Sequence, residues 1–65
     1  MYSKIEITIK EASWSGETLR EITLKGPCDF KIENGFMVVY GEEGEVFGIN
    51  SENVVDFKCY SYPKN

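Results

Sequence analysis

The chain has 65 residues, 42% of them apolar and 28% charged, and a formal net charge of −4. That length holds one small domain, residues 1–65, and folding such a chain removes only about 60% of its surface from water, so support from a disulfide, a metal or a partner subunit is expected. The acidic balance weighs against generic binding to phosphate backbones, and a chain without histidine lacks the commonest general base and zinc ligand.

No run approaches the ~18 apolar residues of a membrane helix. The stretch Met1-Tyr2-Ser3-Lys4-Ile5-Glu6 has none of the apolar character of a secretory leader. The expected compartment is the cytoplasm, that of the host cell if the chain is phage-encoded, with thiols reduced. Aromatic residues make up 14% of the chain, too many for disorder and too many for so small a core to hold, which points to a binding surface.

Period-two alternation dominates and predicts an all-β fold. Ile5, Ile7 and Ile9 alternate with Lys4, Glu6, Thr8 and Lys10 as a half-buried first strand. Residues 11–17 lose the alternation and read as a loop. A second strand spans about 18–25, with Ile22 and Leu24 in phase and Leu19 out of step. A bulge near Arg20-Glu21 restores the phase, and a short helical turn over 17–22 is the alternative. Gly26-Pro27 ends this element by turn chemistry.

Cys28, Phe30 and Ile32 then alternate with Asp29, Lys31 and Glu33 up to Asn34-Gly35, a hairpin signal. A two-residue loop pairs Ile32 with Met37 and sets Phe36, Val38 and Tyr40 over the charged face. A three-residue loop, Glu33-Asn34-Gly35, pairs Ile32 with Phe36 and Phe30 with Val38, keeps the large apolar residues on one face, and is the expected register. Strand 36–40 turns through Gly41-Glu42-Glu43-Gly44, and pairing Tyr40 with Glu45 sets Val38 beside Phe47 and Phe36 beside Ile49. Asn50-Ser51-Glu52-Asn53 reads as a tight turn or one turn of 3-10 helix. The last strand, about 53–60, carries Val55, Phe57 and Cys59 in one phase, and the polar tail 61–65 is expected to fray.

The sum is a single small domain of five or six antiparallel strands, a meander curled into a barrel or a strongly bent sheet. Strand number and spacing, together with the closing unit Ile49–Asn50-Ser51-Glu52-Asn53–Val54-Val55, resemble the SH3-like and Sm-like small β-barrels. The resemblance implies a barrel fold and, through the Sm-like members, a capacity for single-stranded nucleic acid.

Three groups of residues are candidates for a binding site. Trp14, in Ser13-Trp14-Ser15-Gly16, either folds back to cap the core or projects as an anchor for a partner. Tyr60 and Tyr62 lie out of phase with Phe57 and Cys59, beside Lys58. With Trp14 and Tyr2 they make an aromatic platform able to stack a nucleotide, or else they are ordinary edge-strand tyrosines. Glu42, Glu43 and Glu45 form an acidic hairpin tip, which reads first as a solvated loop and second as a contact for a basic partner. Their spacing does not suit a calcium loop, and no metal is expected.

Met37, Val39 and Val46 fall on the face opposite the expected core, which predicts a second buried surface and a homo-oligomer. Cys28 and Cys59 have no CxxC spacing and lie in the inward phase. They read as buried free thiols, with a disulfide as the alternative in an oxidising setting.

Catalysis is not expected: there is no GxSxG, no phosphate-cradling glycine loop and no complete nucleophile system, and no cofactor is implied. The leading functional reading is a non-enzymatic small binding module that masks or sequesters a protein partner, specifically a phage or mobile-element inhibitor with an anti-defence role. The alternatives are an oligomeric sponge for a nucleotide-type ligand and an Sm-like or cold-shock-like binder of single strands, the last disfavoured by scattered basic residues.

Overall fold

A computed structural model describes residues 1–63, so Lys64 and Asn65, the end of the polar tail, lie outside the described residues. Five antiparallel strands make one sheet in the order β4-β3-β2-β1-β5. They are β1 (Tyr2–Ser13), β2 (Gly16–Glu33), β3 (Phe36–Gly41), β4 (Gly44–Asn50) and β5 (Val54–Tyr60), with a 3-10 turn, Ser51–Asn53, ahead of β5. The fold is all-β, and the sheet is bent without closing, so β4 and β5 each keep a free edge. The Asn50 side chain accepts from the Glu52 N–H and so caps the 3-10 turn. The Ser51 N–H donates to the Gly35 carbonyl at 2.8 Å, tying this turn to the tip of the β2–β3 hairpin.

The bend lies in β2, an 18-residue strand. Its first part pairs with β1 as far as Cys28, and Asp29 to Glu33 pair with β3. Gly26-Pro27 does not end the strand as turn chemistry predicts. It marks the place where one neighbour replaces another, with an irregular register against Tyr2 and Lys4. A Cβ on Gly26 would fall on the Tyr2 carbonyl and the Ser3 backbone, so β1 crosses here at a distance only glycine permits. Proline, lacking an N–H, is tolerated where the ladder is already irregular.

Residues 11–17 are not a loop. Glu11, Ala12 and Ser13 pair with Thr18, Glu17 and Gly16, which leaves Trp14-Ser15 as the turn. The register runs unbroken from Lys4–Lys25 to Ser13–Gly16, with neither a bulge at Arg20-Glu21 nor a helical turn over 17–22. Leu19 sits opposite Lys10 and is exposed. Alternation fails along this stretch because the ribbon beyond Ile9 has solvent on both faces, so nothing selects an apolar side. The ribbon is an arm. It gives the molecule a longest dimension of 47 Å and a radius of gyration of 12.8 Å, against about 10.7 Å for a compact chain of this length.

The β2–β3 hairpin adopts the two-residue loop: Glu33 faces Phe36, Ile32 faces Met37 and Phe30 faces Val39. Asn34 (φ 52°) and Gly35 (φ 79°) both take left-handed backbone, the geometry of the tight turn that Asn-Gly favours. The expected three-residue register is therefore corrected by one residue, and every β3 side chain changes face. The β3–β4 pairing changes with it. Tyr40 does face Glu45, but the register then shifts past Val46, so Val39 faces Phe47 and Met37 faces Ile49. A similar irregularity in β5 sets Val54 opposite Ile9 and leaves Val55 exposed, out of the expected inward phase.

The core follows from these registers. Ile5, Ile7, Ile9, Cys28, Met37 and Val39 are buried, with Tyr2, Ile22, Leu24, Phe30, Phe47, Ile49, Val54 and Cys59 packed around them. Met37 and Val39, expected at an oligomer interface, have 0% exposure. They are the centre of the core, and of the three residues expected to form that interface only Val46 remains at the surface.

Candidate functional site

The arm carries the most exposed aromatic residue. Trp14 is 100% exposed at the turn between β1 and β2, so it neither caps nor touches the core. Local hydrogen bonds hold the turn: the Ser13 hydroxyl donates to the Gly16 carbonyl at 2.7 Å and lies 3.1 Å from the Ser15 hydroxyl. Gly16 takes φ 125°, which the reversal of direction requires. Farther down the arm, Arg20 binds the Glu11 carboxylate at 3.1 Å, bracing the two strands diagonally.

Tyr60 and Tyr62 do not join Trp14 in a platform. Tyr60 faces Lys4 near the start of β1, whereas Trp14 follows Ser13 at its far end, nine residues on. At about 3.3 Å per residue the separation is about 30 Å. Tyr2 is turned inward and stacks on Phe30, with ring centroids 6.1 Å apart. Tyr62 is exposed beyond the last strand. One face of Tyr60 is already covered by the Lys4 ammonium, 4.4 Å from the ring centroid.

Tyr60 is instead part of a polar cluster on the outer face. Its hydroxyl donates to the Glu6 carboxylate at 2.6 Å, and the Ser3 hydroxyl reaches the Tyr60 and Ser61 carbonyls at 3.0 and 3.2 Å. The Tyr60 hydrogen bond, opposed by desolvation and aided by Lys4 and Lys58, holds the Glu6 carboxyl below its ordinary value. The same bond pushes the Tyr60 phenol up. Lys58 lies opposite Glu6 across the β1–β5 pair.

Glu42, Glu43 and Glu45 are exposed at the β3–β4 turn, closed by Gly41 opposite Gly44. Among the described residues no cluster of carboxylates and thiols suits a metal ion. Cys28 and Cys59 are both free thiols. Burial pushes both up, and Asp29 adds to the effect on each. Neither has the thiolate character of a nucleophile.

The sequence does not mark the second exposed apolar feature. Where the bent sheet fails to close, Ile32 on β2 faces Val54, Val55 and Phe57 on β5 across a groove of about 250 Å³, with Ser51 and Asp56 also in its lining. Ile32 is 55% exposed and Val55 52%. Phe57 packs edge-on against Phe30, ring centroids 5.2 Å apart, and forms the inner wall. Ile32 and Phe57 fall in the inward phase of their strands and so read as core. Only the open seam shows that they are half uncovered.

A second groove, on the outer face of β2, β1 and β5, is lined by the carboxylates of Glu6, Glu21 and Asp56 with Thr8, Thr23 and Lys58. It is a polar strip of ordinary strand side chains. No helix of the described residues is long and apolar enough to cross a membrane. No family model matches this chain, and neither a curated protein nor a solved structure matches it.

Proposed function

We propose that the chain is a non-enzymatic protein-binding module, built on an SH3-like barrel framework, whose anchor is Trp14 on the β1–β2 arm. The observation that carries this reading is a wholly exposed indole at the tip of a hydrogen-bonded ribbon. Trp is among the side chains most enriched at binding hot spots. A ribbon that already holds it in place lowers the ordering cost of association. The arm adds nothing to the core, so its length serves presentation. The strand order and the 3-10 turn before β5 support the framework, and the acidic β3–β4 tip supports a preference for partners with a basic rim.

The test replaces Trp14 with the photo-crosslinker p-benzoylphenylalanine in cells expressing the chain, with the same replacement at exposed Lys25 as control. A discrete adduct at position 14 and none at position 25 is the expected result. No adduct at position 14, or the same products from both positions, overturns the assignment.

A further inference from the structure

We propose that the partner is a second copy of this chain, and that Trp14 of each copy seats in the groove between Ile32 and β5 of the other. The inference rests on the binding-module reading above and names the occupant of its site. One chain carries both halves of a complementary pair: an indole without a pocket and an apolar groove without an occupant.

Size and chemistry agree. The groove encloses about 250 Å³. That suits a bicyclic ring and falls short of the roughly 300–1,000 Å³ of pockets for drug-sized ligands. Ile32, Val54, Val55 and Phe57 supply apolar walls, while Ser51 supplies an oxygen acceptor for the single indole N–H.

Charge agrees as well. Lys10 stands beside Leu19 on the arm and has no ion-pair partner among the described residues, whereas Arg20 is already held by Glu11. Glu52, next to groove-lining Ser51 in the chain, is a carboxylate without a cation among the described residues. Docking the arm brings the free cation toward the free carboxylate.

The contact must form between molecules. Ile9 faces Val54 at the level of the groove, and Ser13 lies four residues farther out, about 13 Å along β1. The arm leads away from its own groove, and Trp14 could return only by breaking the pairs from Glu11–Thr18 to Ser13–Gly16. Two copies related by a two-fold axis exchange both contacts at once, leaving no arm and no groove unfilled. Such closure also supplies the external support that a core of this size needs.

The experiment uses the only tryptophan in the chain as its own reporter. Sedimentation velocity and Trp14 emission are followed across a dilution series of the wild type, Trp14→Ala and Val55→Glu, with Ile32→Gln as a second groove variant should Val55→Glu lose its strand spectrum. The expected wild type is a dimer that dissociates on dilution, its emission moving red and becoming open to quenchers as it does. Each variant weakens association at least about thirtyfold, the loss typical of a hot-spot Trp. Mixing Trp14→Ala, whose groove is intact, with Val55→Glu, whose indole is intact, restores a weaker dimer with one contact.

A wild type that stays monomeric at every concentration overturns the inference, as does a dimer that survives Trp14→Ala or the groove variants. A monomer whose position-14 crosslinker captures a different protein leaves the binding-module reading standing without it. A monomer with no adduct at position 14 removes both.

Discussion

The Tyr60 hydroxyl donates to the Glu6 carboxylate at 2.6 Å across the β1–β5 pair, with the Lys4 ammonium over the same ring. The bond ties the edge strand β5 to its neighbour β1 and couples stability to pH at both ends of the scale. Glu6 is held down, so its contribution is present above the ordinary carboxylate range and lost as pH falls through the lowered value. Tyr60 is pushed up, so its contribution is present below the ordinary phenol range and lost as pH rises through the raised value. The stability difference between wild type and Tyr60→Phe is therefore flat through neutrality and shrinks toward both extremes. Denaturant midpoints across the pH series check this. In Tyr60→Phe the Glu6 carboxyl titrates higher, as carbon-detected NMR reads directly.

Gly26 separates two kinds of glycine in this chain. A Cβ there meets the Tyr2 and Ser3 backbone, which cannot move without opening the start of β1, whereas a Cβ on Gly48 makes ordinary contact with Val38, 3.9 Å away. Gly26→Ala is expected to cost about 1–3 kcal/mol, the usual penalty for overpacking. Gly48→Ala stays within about 0.5 kcal/mol of wild type. Paired urea titrations of the two variants give the comparison.

Met37 is the sharpest test of the register. In the core its truncation to Ala costs about 2–5 kcal/mol, a large share of what a chain of this size holds in total. The loss shows as a drop in melting temperature relative to wild type that is the same at every protein concentration. A Met37 at an oligomer interface would instead shift the midpoint with concentration and leave the monomer intact.

The two thiols differ in access. Cys28 is buried, and its thiol lies 3.5 Å from the Tyr2 carbonyl and 3.7 Å from the Leu24 carbonyl, whereas Cys59 is only partly covered. Because burial raises both above the ordinary thiol range, alkylation at neutral pH is slower than in the unfolded chain. Cys59 is expected to react first and Cys28 only at the rate of unfolding. Mass spectrometry of a timed alkylation distinguishes the two sites.

Local pattern in the sequence was enough for the strand class, the 3-10 turn and the inward isoleucines of β1. Period-two alternation records which side of a ribbon meets the core, and Asn50 accepts from a backbone N–H two residues on. The faces of β3 were not legible from the same pattern. Its apolar residues occupy both phases, Phe36 and Val38 in one and Met37 and Val39 in the other, so the turn alone decides which set is buried. The left-handed backbone of Asn34 and Gly35 selected the two-residue loop, leaving Phe36 half exposed and placing Met37 and Val39 in the core.

The two features of the candidate site divide the same way. That Trp14 lies at a turn follows from its small polar neighbours, because serine and glycine close a reversal at little steric cost. That this turn stands at the end of an arm depends on where the core stops, which is set by the bend of β2 at Gly26 and by the solvent on both faces of the ribbon beyond Ile9. The groove of Ile32, Val55 and Phe57 has no signature along the chain at all. It exists because the sheet curls without closing, and whether two distant strand edges meet is decided by tertiary geometry alone.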